Sequence, residues 1–268
     1  MNKQATFQEQ YGPWAVVAGA SEGLGAAYAD QLAQKGLNLV LIARREAMLV
    51  KLSGGLVEKY GIQVRILTLD LSQPDSTENI VQKTRDLEIG LLIYNAASSV
   101  VGPFLEHSID EHLKEIETNV RAPLVLTHHF CGQMLARGRG GVVLMSSLSA
   151  FQGSAFIANY AATKAFNILL AEGLWEEWRN SGIDVMACVA GATSTPKYKA
   201  SNPKQTGRFS DATLEPEVVV REALNALGKQ PFVIPGKLNR FSSFIMRHIL
   251  PRKVAIQMMG NILRNMYT

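Results

Sequence analysis

Short apolar runs alternate with longer segments of helical spacing along most of the chain. The apolar runs predict strands at 14–18, 37–43, 62–69, 91–94, 142–145, 183–189 and 232–234. Helical periodicity predicts helices at 23–35, 46–60, 74–87, 110–137, 159–180 and 216–227. Strict alternation of this kind is typical of a parallel sheet with helices on both faces. The pattern therefore predicts a doubly wound α/β fold of Rossmann type with about seven strands.

Capping and breaking residues mark several of these element ends. Gly36 follows the first helix as a C-cap. Ser72 is the predicted N-cap of helix 74–87, with Pro74 in its first turn. Pro123 predicts a bend within the long helix 110–137.

Length and composition favour one domain. The chain has 268 residues, 47% of them hydrophobic, and no linker or repeat divides it. We expect one domain over 1–268, with its core at 14–234 and a helical extension at 236–268. No secretory signal is expected at 1–10, and no run reaches the roughly 18 apolar residues that a membrane-spanning helix needs. Cys131 and Cys188 match no metal spacing, so free thiols, no metal site and a cytoplasmic location are expected.

A glycine-rich segment, Gly19-Ala-Ser21-Glu-Gly23-Leu24-Gly25, follows the first strand directly. Such a turn lets the backbone approach a pyrophosphate, and the N-terminus of the next helix supplies free N–H groups and partial positive charge. Glycines alone also occur in ordinary tight turns. A strand before them and a helix after them favour a dinucleotide site.

The end of the second strand indicates which dinucleotide binds. NAD sites carry an acid there, about 20 residues beyond the glycines, for the ribose hydroxyls. Here the strand ends in Ile42-Ala43-Arg44-Arg45. A guanidinium suits the 2′-phosphate of NADP, and two cations at a helix N-terminus would otherwise oppose the helix dipole. The sequence therefore predicts NADP(H), with Glu22 facing solvent or paired with an arginine.

Two further polar residues follow strands. Asp70 ends the third strand, where it accepts a hydrogen bond from the adenine amino group, caps the following turn with Ser72, or does both. Asn95 follows the fourth strand, where it bridges backbone groups beside the adenosine or serves as an ordinary turn asparagine.

Tyr160 and Lys164 are four residues apart on a predicted helix, so their side chains share a face. An ammonium near a phenol favours the phenolate and lowers a tyrosine pKa from about 10, as an acid/base group near neutral pH requires. The pair alone is common. Ser147 at the end of the fifth strand can donate to a substrate carbonyl, and Asn119 on the long helix can hold a water that links Lys164 to solvent.

Taken together, these motifs resemble the short-chain dehydrogenase/reductase family over about 14–234. The matching segments are Ala18-Gly19-x-x-x-Gly23-x-Gly25, Asn95-Ala96-Ala97, Asn119, Ser147 and Tyr160-x-x-x-Lys164. The resemblance implies hydride transfer between a nicotinamide and a carbonyl or carbinol carbon. It implies that Tyr160 exchanges the proton, Lys164 binds the nicotinamide ribose, Ser147 polarises the carbonyl and Asn119 supports the proton relay. It adds Leu71, Ala96, Thr193 and Thr195 as cofactor contacts, and a homo-oligomer as the assembly.

Departures from the family pattern affect loops rather than reacting groups. Ala18 replaces a threonine whose hydroxyl tethers the loop near Asn95, and Ala190-Gly191 replaces a Pro-Gly. Within the family, segments such as 27–30, 37–42 and 86–90 are most similar to the 17β-hydroxysteroid dehydrogenase and 3-ketoacyl-CoA reductase branch. That branch prefers NADPH and bulky apolar substrates, of fatty-acyl or steroid-like type.

The C-terminal part is basic and amphipathic. From Gly236 to Thr268 there are six basic residues and no acid, and 241–266 carries apolar residues between them. This segment either packs on its own domain or on a partner subunit, which we favour, or makes peripheral contact with an anionic membrane. The charge does not form the stripe that is typical of nucleic-acid binders, so no nucleic acid is expected. Residues 197–213 are either a substrate lid or an ordinary surface loop.

One different class of function fits the same cofactor motifs. A protein that binds or senses NADP(H) without turnover would keep the glycine-rich turn and the two arginines. The complete set of Ser147, Asn119, Tyr160 and Lys164 favours an enzyme instead.

Overall fold

Seven parallel strands form one sheet in the computed structural model, which describes residues 5–200 and 213–267. The strands are β1 Trp14–Ala18, β2 Asn38–Ala43, β3 Val64–Thr68, β4 Ile89–Tyr94, β5 Gly140–Ser147, β6 Ile183–Ala190 and β7 Phe232–Val233. Their order is β3-β2-β1-β4-β5-β6-β7, and all neighbouring pairs are parallel. The predicted fold class and strand number are confirmed.

Helices cover both faces of the sheet. They are α1 Phe7–Tyr11, α2 Gly23–Gln34, α3 Glu46–Tyr60, α4 Ser76–Thr84, α5 Ile109–Ile116, α6 Ala122–Arg137, α7 Ala158–Glu177, α8 Pro196–Ala200, α9 Pro216–Ala226, α10 Lys237–Phe244 and α11 Arg252–Tyr267. One apolar core lies between the sheet and α2, α3 and α9. A second core lies between the opposite face and α4, α6 and α7. Cys131 and Cys188 are buried free thiols in these cores, and burial raises the pKa of each to about 12.

The strand order indicates where the binding crevice of the sheet lies. From β1 the chain crosses to β2 on one side of β1, and after β3 it crosses back to β4 on the other side. The crossovers therefore diverge at the carboxyl ends of β1 and β4. Ligands of doubly wound sheets bind at this switch point. The glycine-rich turn and Asn95 directly follow these two strands.

Two local predictions were wrong in detail. Helix α4 begins at Ser76, not at Pro74, and Asp75 rather than Ser72 is its N-cap. The Asp70 carboxylate accepts both the Ser72 N–H (3.0 Å) and its hydroxyl (2.9 Å), which holds Ser72 in a separate turn.

A π-helical turn at Glu117–Arg121, just before Pro123, interrupts the helix predicted over 110–137. The α-helical donor for the Asn119 carbonyl would be the N–H of residue 123, and proline has none. The helical ladder is therefore interrupted beside Asn119, and the wider turn directs this residue inward. Helices α1 and α8, which are short, were not predicted.

The C-terminal segment folds back onto its own chain. Ala255 and Leu263 of α11 are buried, and Gly260 lies close to Ala155. The Arg247 guanidinium stacks on the rings of Phe151 (4.2 Å) and Phe232 (5.4 Å). Among the described residues, none of the helices combines the length and apolarity needed to span a membrane.

Candidate active site

The glycine-rich turn is shaped by close backbone approach. Gly19 has φ +82°, and a side chain there would lie 2.7 Å from the backbone of Ala96. A side chain at Gly25 would collide with the carbonyl oxygen of Gly19. Asn95 ties the same turn to β4, because its Nδ2 donates to the Gly19 carbonyl at 2.9 Å and its N–H donates to the Ala18 carbonyl at 3.0 Å. Asn95 therefore tethers this turn although Ala18 lacks a hydroxyl.

The N-terminus of α2 opens into this crevice. Its N-cap, Glu22, makes no side-chain capping bond to the first turn. Instead, the Glu22 carboxylate pairs with Arg45 at 2.8 Å, and Arg45 also donates to Ser21 Oγ at 3.0 Å. Arg44, beside it, is exposed. Glu22 therefore does not cap the N–H groups of the first turn, which are the groups that would bind a phosphate. Its pairing with Arg45 agrees with one of the two alternatives predicted for Glu22.

Other predicted cofactor residues lie in the segments that follow β3 and β6. Asp70 holds the turn described above, and Leu71 next to it is buried. A side chain at Gly23 would meet Thr195, which brings the segment after β6 onto the glycine-rich turn. Thr195 Oγ1 accepts the Tyr198 N–H at 3.2 Å, and Thr193 Oγ1 donates to the Gly191 carbonyl at 3.1 Å. Most of the predicted lid at 197–213 lies outside the described residues.

The polar pair on α7 is anchored to the end of β5. Lys164 is buried, its Nζ donates to the Met145 carbonyl at 3.0 Å, and Nζ lies 5.7 Å from the centre of the Tyr160 ring. Ser146 Oγ donates to the Lys164 carbonyl at 2.7 Å. These bonds hold α7 against the strand that carries Ser147.

Ser147 is held by Ser149 and can act as a hydrogen-bond donor. Ser149 gives it two hydrogen bonds, from its N–H at 3.3 Å and from its hydroxyl at 3.0 Å. A hydroxyl has two acceptor positions and one proton, so the remaining capacity of Ser147 is to donate. This is the role that polarising a carbonyl oxygen requires.

Asn119 is fully buried and bridges two segments. Its Nδ2 donates to the Ser98 carbonyl at 2.8 Å and to Thr163 Oγ1 at 3.0 Å, and its Oδ1 accepts the Ser98 N–H at 2.9 Å. Thr163 donates in turn to the Tyr160 carbonyl at 2.8 Å. Asn119 therefore links the segment after β4 to the turn of α7 between Tyr160 and Lys164.

Sequence reasoning missed part of this network. Ser98, Thr163 and Glu115 were not singled out, although Ser98 and Thr163 contact Asn119 and Glu115 contacts Asn159, the residue before Tyr160. Glu115 is four residues before Asn119, so the same helical spacing that paired Tyr160 with Lys164 would have placed both on one face. The elements bring together a glycine-lined phosphate cradle, a phenol beside a buried ammonium and an oriented hydroxyl, which suits proton transfer next to a bound dinucleotide.

Comparison with known proteins agrees with this arrangement. A 7beta-hydroxysteroid dehydrogenase of Clostridium sardiniense is 35% identical over 237 residues, covering 87% of this chain and 89% of that protein. A very-long-chain 3-oxoacyl-CoA reductase of Anas platyrhynchos is 31% identical, covering 82% of this chain and 70% of that protein. These relatives are consistent with the branch that the sequence resembles.

Solved structures resemble this chain in the same way as the relatives found by sequence. A 7beta-hydroxysteroid dehydrogenase structure superposes with a TM-score of 0.90 at 32% identity, covering 95% of this chain and 99% of the other. A short-chain dehydrogenase from Sphingobium yanoikuyae in complex with NADPH superposes with a TM-score of 0.76 at 28% identity, covering 87% and 92%. The family described as short chain dehydrogenase matches residues 13–206. This chain belongs to the short-chain dehydrogenase family.

Proposed function

We propose that this protein is an NADP(H)-dependent oxidoreductase that transfers hydride between the nicotinamide and a carbonyl or secondary alcohol of an apolar substrate. The observation that carries the proposal is the buried Lys164 ammonium beside the Tyr160 ring, anchored to the strand of Ser147. The glycine-rich turn, where the dinucleotide would bind, lies at the same edge of the sheet. When bound, the cofactor supplies or accepts the hydride.

In this proposal the protein handles the proton and the developing charge. Tyr160 gives the proton to the carbonyl oxygen during reduction and takes it back during oxidation. Lys164 favours the phenolate by its charge and holds the nicotinamide ribose. Ser147 donates to the substrate oxygen, and Asn119 supports the relay by fixing the segments on which these groups lie.

The cofactor preference rests on the arginines at the end of β2. Arg44 is exposed beside Arg45, and both precede α3 without an acid at the strand end. A bound 2′-phosphate would compete with Glu22 for Arg45. The NADPH complex of the Sphingobium relative supports the same choice. Changing both arginines to alanine should weaken NADPH binding about tenfold or more while leaving NADH binding nearly unchanged, and equal losses would reject the assignment.

The substrate class follows from the relatives rather than from a single side chain. Their names give a steroid hydroxyl and a very long acyl ketone, which share a bulky apolar body. A panel of steroid, acyl and small polar ketones, followed through NADPH oxidation, tests this. The bulky apolar ketones should be reduced, and Tyr160→Phe should lower their turnover about 10²-fold or more. Wild-type turnover by Tyr160→Phe would reject the mechanism, and NADPH binding without any turnover would favour a sensing protein.

We also propose that the protein forms a homo-oligomer. Large apolar side chains are exposed on three neighbouring helices, namely Leu113 of α5, Leu124 of α6 and Leu169 of α7. A partner subunit that covers these side chains would remove their apolar surface from water. Light scattering should give a mass above that of one chain, and Leu169→Asp should lower it. A wild-type mass equal to one chain would contradict the proposal.

Peripheral membrane contact is a separate proposal for the C-terminal segment. Leu238, Phe241, Phe244 and Ile249 are each more than half exposed, next to basic residues and with no acid from 236 onward. Co-sedimentation with anionic and neutral vesicles tests it. Binding to anionic vesicles that Phe241→Ser with Phe244→Ser abolishes would support contact, and equal recovery without vesicles would reject it.

A further inference from the structure

Helix α5 carries a buried carboxylate next to the candidate active site. The Glu115 side chain is completely inaccessible to solvent. One carboxylate oxygen, Oε1, accepts the Val100 N–H at 3.3 Å, and the other, Oε2, accepts Asn159 Nδ2 at 2.7 Å. Asn159 Nδ2 also donates to the His112 carbonyl at 3.1 Å. Both oxygens of Glu115 are thus used by donors from other segments.

The two partners of Glu115 lie beside those of Asn119. Val100 is two residues after Ser98, in the segment that follows β4, and Asn159 directly precedes Tyr160. Asn119 joins Ser98 to Thr163, and Glu115 joins Val100 to Asn159. Two side chains one helical turn apart therefore fasten the same two segments together. One of these segments continues from the dinucleotide crevice and the other carries the catalytic tyrosine.

A negative charge at this buried position is unfavourable in free energy. Burying an ionised carboxylate costs several kcal/mol unless it is paired or hydrogen-bonded, and apolar residues often replace such groups without loss of stability. Burial raises the pKa of Glu115, and the bonds from Val100 and Asn159 together with His112 and Lys164 oppose that shift. Fixing two segments does not by itself require a charge, because neutral side chains also hydrogen-bond.

Among the described residues, His112 and Lys164 are the charged or titratable groups that act on the pKa of Glu115. His112 shares α5, and its Nε2 lies 3.0 Å from the Phe104 carbonyl. On α7, the charge of Lys164 lowers the pKa of Glu115, and Tyr160 directly follows Asn159, which donates to Glu115. The Ser98–Val100 segment contributes no titratable side chain. Lys164 is also buried. Two buried charges of opposite sign interact more strongly than the same charges would at the surface.

We propose that Glu115 is a positioning residue whose charge and two hydrogen bonds hold the Tyr160 turn of α7 against the segment after β4 and raise the pH at which Tyr160 ionises. The inference rests on the proposed function, in which Tyr160 exchanges the proton. Lys164 alone would favour the phenolate, and the nearby carboxylate opposes it. Glu115 thus sets the balance between the two protonation states that reduction and oxidation require.

Glu115→Gln tests the charge at nearly constant shape. Ultraviolet titration of tyrosinate, as the difference between a protein and the same protein with Tyr160→Phe, reports Tyr160 ionisation without any turnover. The midpoint should fall by about half to one pH unit when the carboxylate is removed. The limb of the kcat profile for alcohol oxidation that rises with pH should move in the same direction. Glu117→Gln removes a charge from the adjoining turn, where the side chain is partly exposed and paired with Arg121 at 3.6 Å, and should leave the midpoint unchanged.

A second variant separates the effect of the Glu115 charge from the effect of its side-chain length. Glu115→Asp keeps the charge but is too short to hold both partners, so kcat should fall while the midpoint stays near that of the wild type. Where Glu115→Gln does not fold, Glu115→Met takes its place with the same expected shift.

An unchanged midpoint in folded Glu115→Gln would overturn the inference, whatever happens to the rate. A lower rate with an unchanged midpoint would mean that Glu115 acts only as a structural tie. A wild-type protein that turns over no ketone would reject the proposed function, and the tyrosinate titration would still decide this inference separately.

Discussion

Helices α9 and α5 bury opposite kinds of side chain. On α9 the buried face is apolar and includes Val219, Val220 and Ala223, which pack against α2 and the sheet. On α5 the buried residues are His112 and Glu115, while Ile109, Leu113 and Ile116 are exposed. Both helices have the same periodicity, but only α9 follows the usual rule that the apolar stripe faces the core.

The difference separates a helix that stabilises the fold from one that positions the site. The buried face of α9 gains free energy from every apolar group that leaves water. The buried face of α5 gains little, because polar groups must recover by hydrogen bonds what they lose in hydration. Glu115 and the adjoining Asn119 recover it by bonding to the two segments that frame Tyr160. The outward face of α5 carries the exposed Ile109, Leu113 and Ile116.

The largest expected effect comes from placing a charge on each helix. Val219→Asp puts a carboxylate into the core beneath α9, where the side chain is fully buried, and should lower the free energy of unfolding by about 4 kcal/mol or more. Leu113→Asp is the matched change on α5, where the side chain is half exposed, and should cost about 1 kcal/mol or less. Urea unfolding followed by circular dichroism measures both.

Comparable destabilisation by the two substitutions would contradict the contrast between the helices. A change in mass of Leu113→Asp without loss of helix signal would instead indicate that Leu113 lies in a subunit contact. Light scattering on the same samples distinguishes dissociation from unfolding.

Much of the fold was predictable, because buried parallel strands are continuous apolar runs with turn signals between them. The glycine-rich turn and the Tyr160–Lys164 pair were recognised for a similar reason, since each depends on spacing within one element. The burial of the polar face of α5, with His112 and Glu115, was not predicted. Periodicity tells which residues share a face, but it does not tell which face is buried when apolar and polar stripes are both present.

Long-range partners account for the other differences. Glu115 acquires its role only from Val100 and Asn159, which the sequence places 15 and 44 residues away. Ser72 looked like a helix cap, but Asp70 two residues earlier competes for its N–H and hydroxyl. No local pattern distinguishes these outcomes, because they depend on which side chains meet after the chain has folded.

A loss of stability and activity of intermediate size is expected from Asn119→Ala. This substitution removes the buried, neutral amide that lies four residues after Glu115. The Ser98 N–H and carbonyl and the Thr163 hydroxyl would each lose their hydrogen bond to Asn119, at a cost of about 1–3 kcal/mol in the free energy of unfolding. Because the Tyr160 turn loses its tie to the segment after β4, kcat should fall about 10²-fold with a smaller change in KM.

Asn79→Ala on α4 is the control for that substitution. Asn79 donates only to Asp75 on the surface, at 3.0 Å, so the change should cost about 0.5 kcal/mol or less and leave kcat unaltered. Wild-type kcat in Asn119→Ala would mean that Asn119, which follows α5, does not position the site.

The smallest effect, a dependence of stability on pH, concerns Glu115. Its pKa is raised by burial, so the folded protein binds a proton at this site more readily than the unfolded chain does. Stability therefore falls as pH rises from the unfolded pKa, near 4.3, through the raised folded pKa. Above that window the cost of the buried charge is fully present, and below it the cost is relieved. Glu115→Gln has no such proton to bind.

The wild type should consequently gain stability relative to Glu115→Gln as the pH falls from neutral toward about 4, which urea unfolding of both proteins across that range measures. The opposite trend would mean that the bonds from Val100 and Asn159 outweigh burial. Glu115 would then stabilise the fold in the way that the apolar face of α9 does, and the contrast between the two helices would disappear at this residue. The expected trend would instead mean that α5 keeps a destabilising charge beside Tyr160, where a neutral side chain would make the protein more stable.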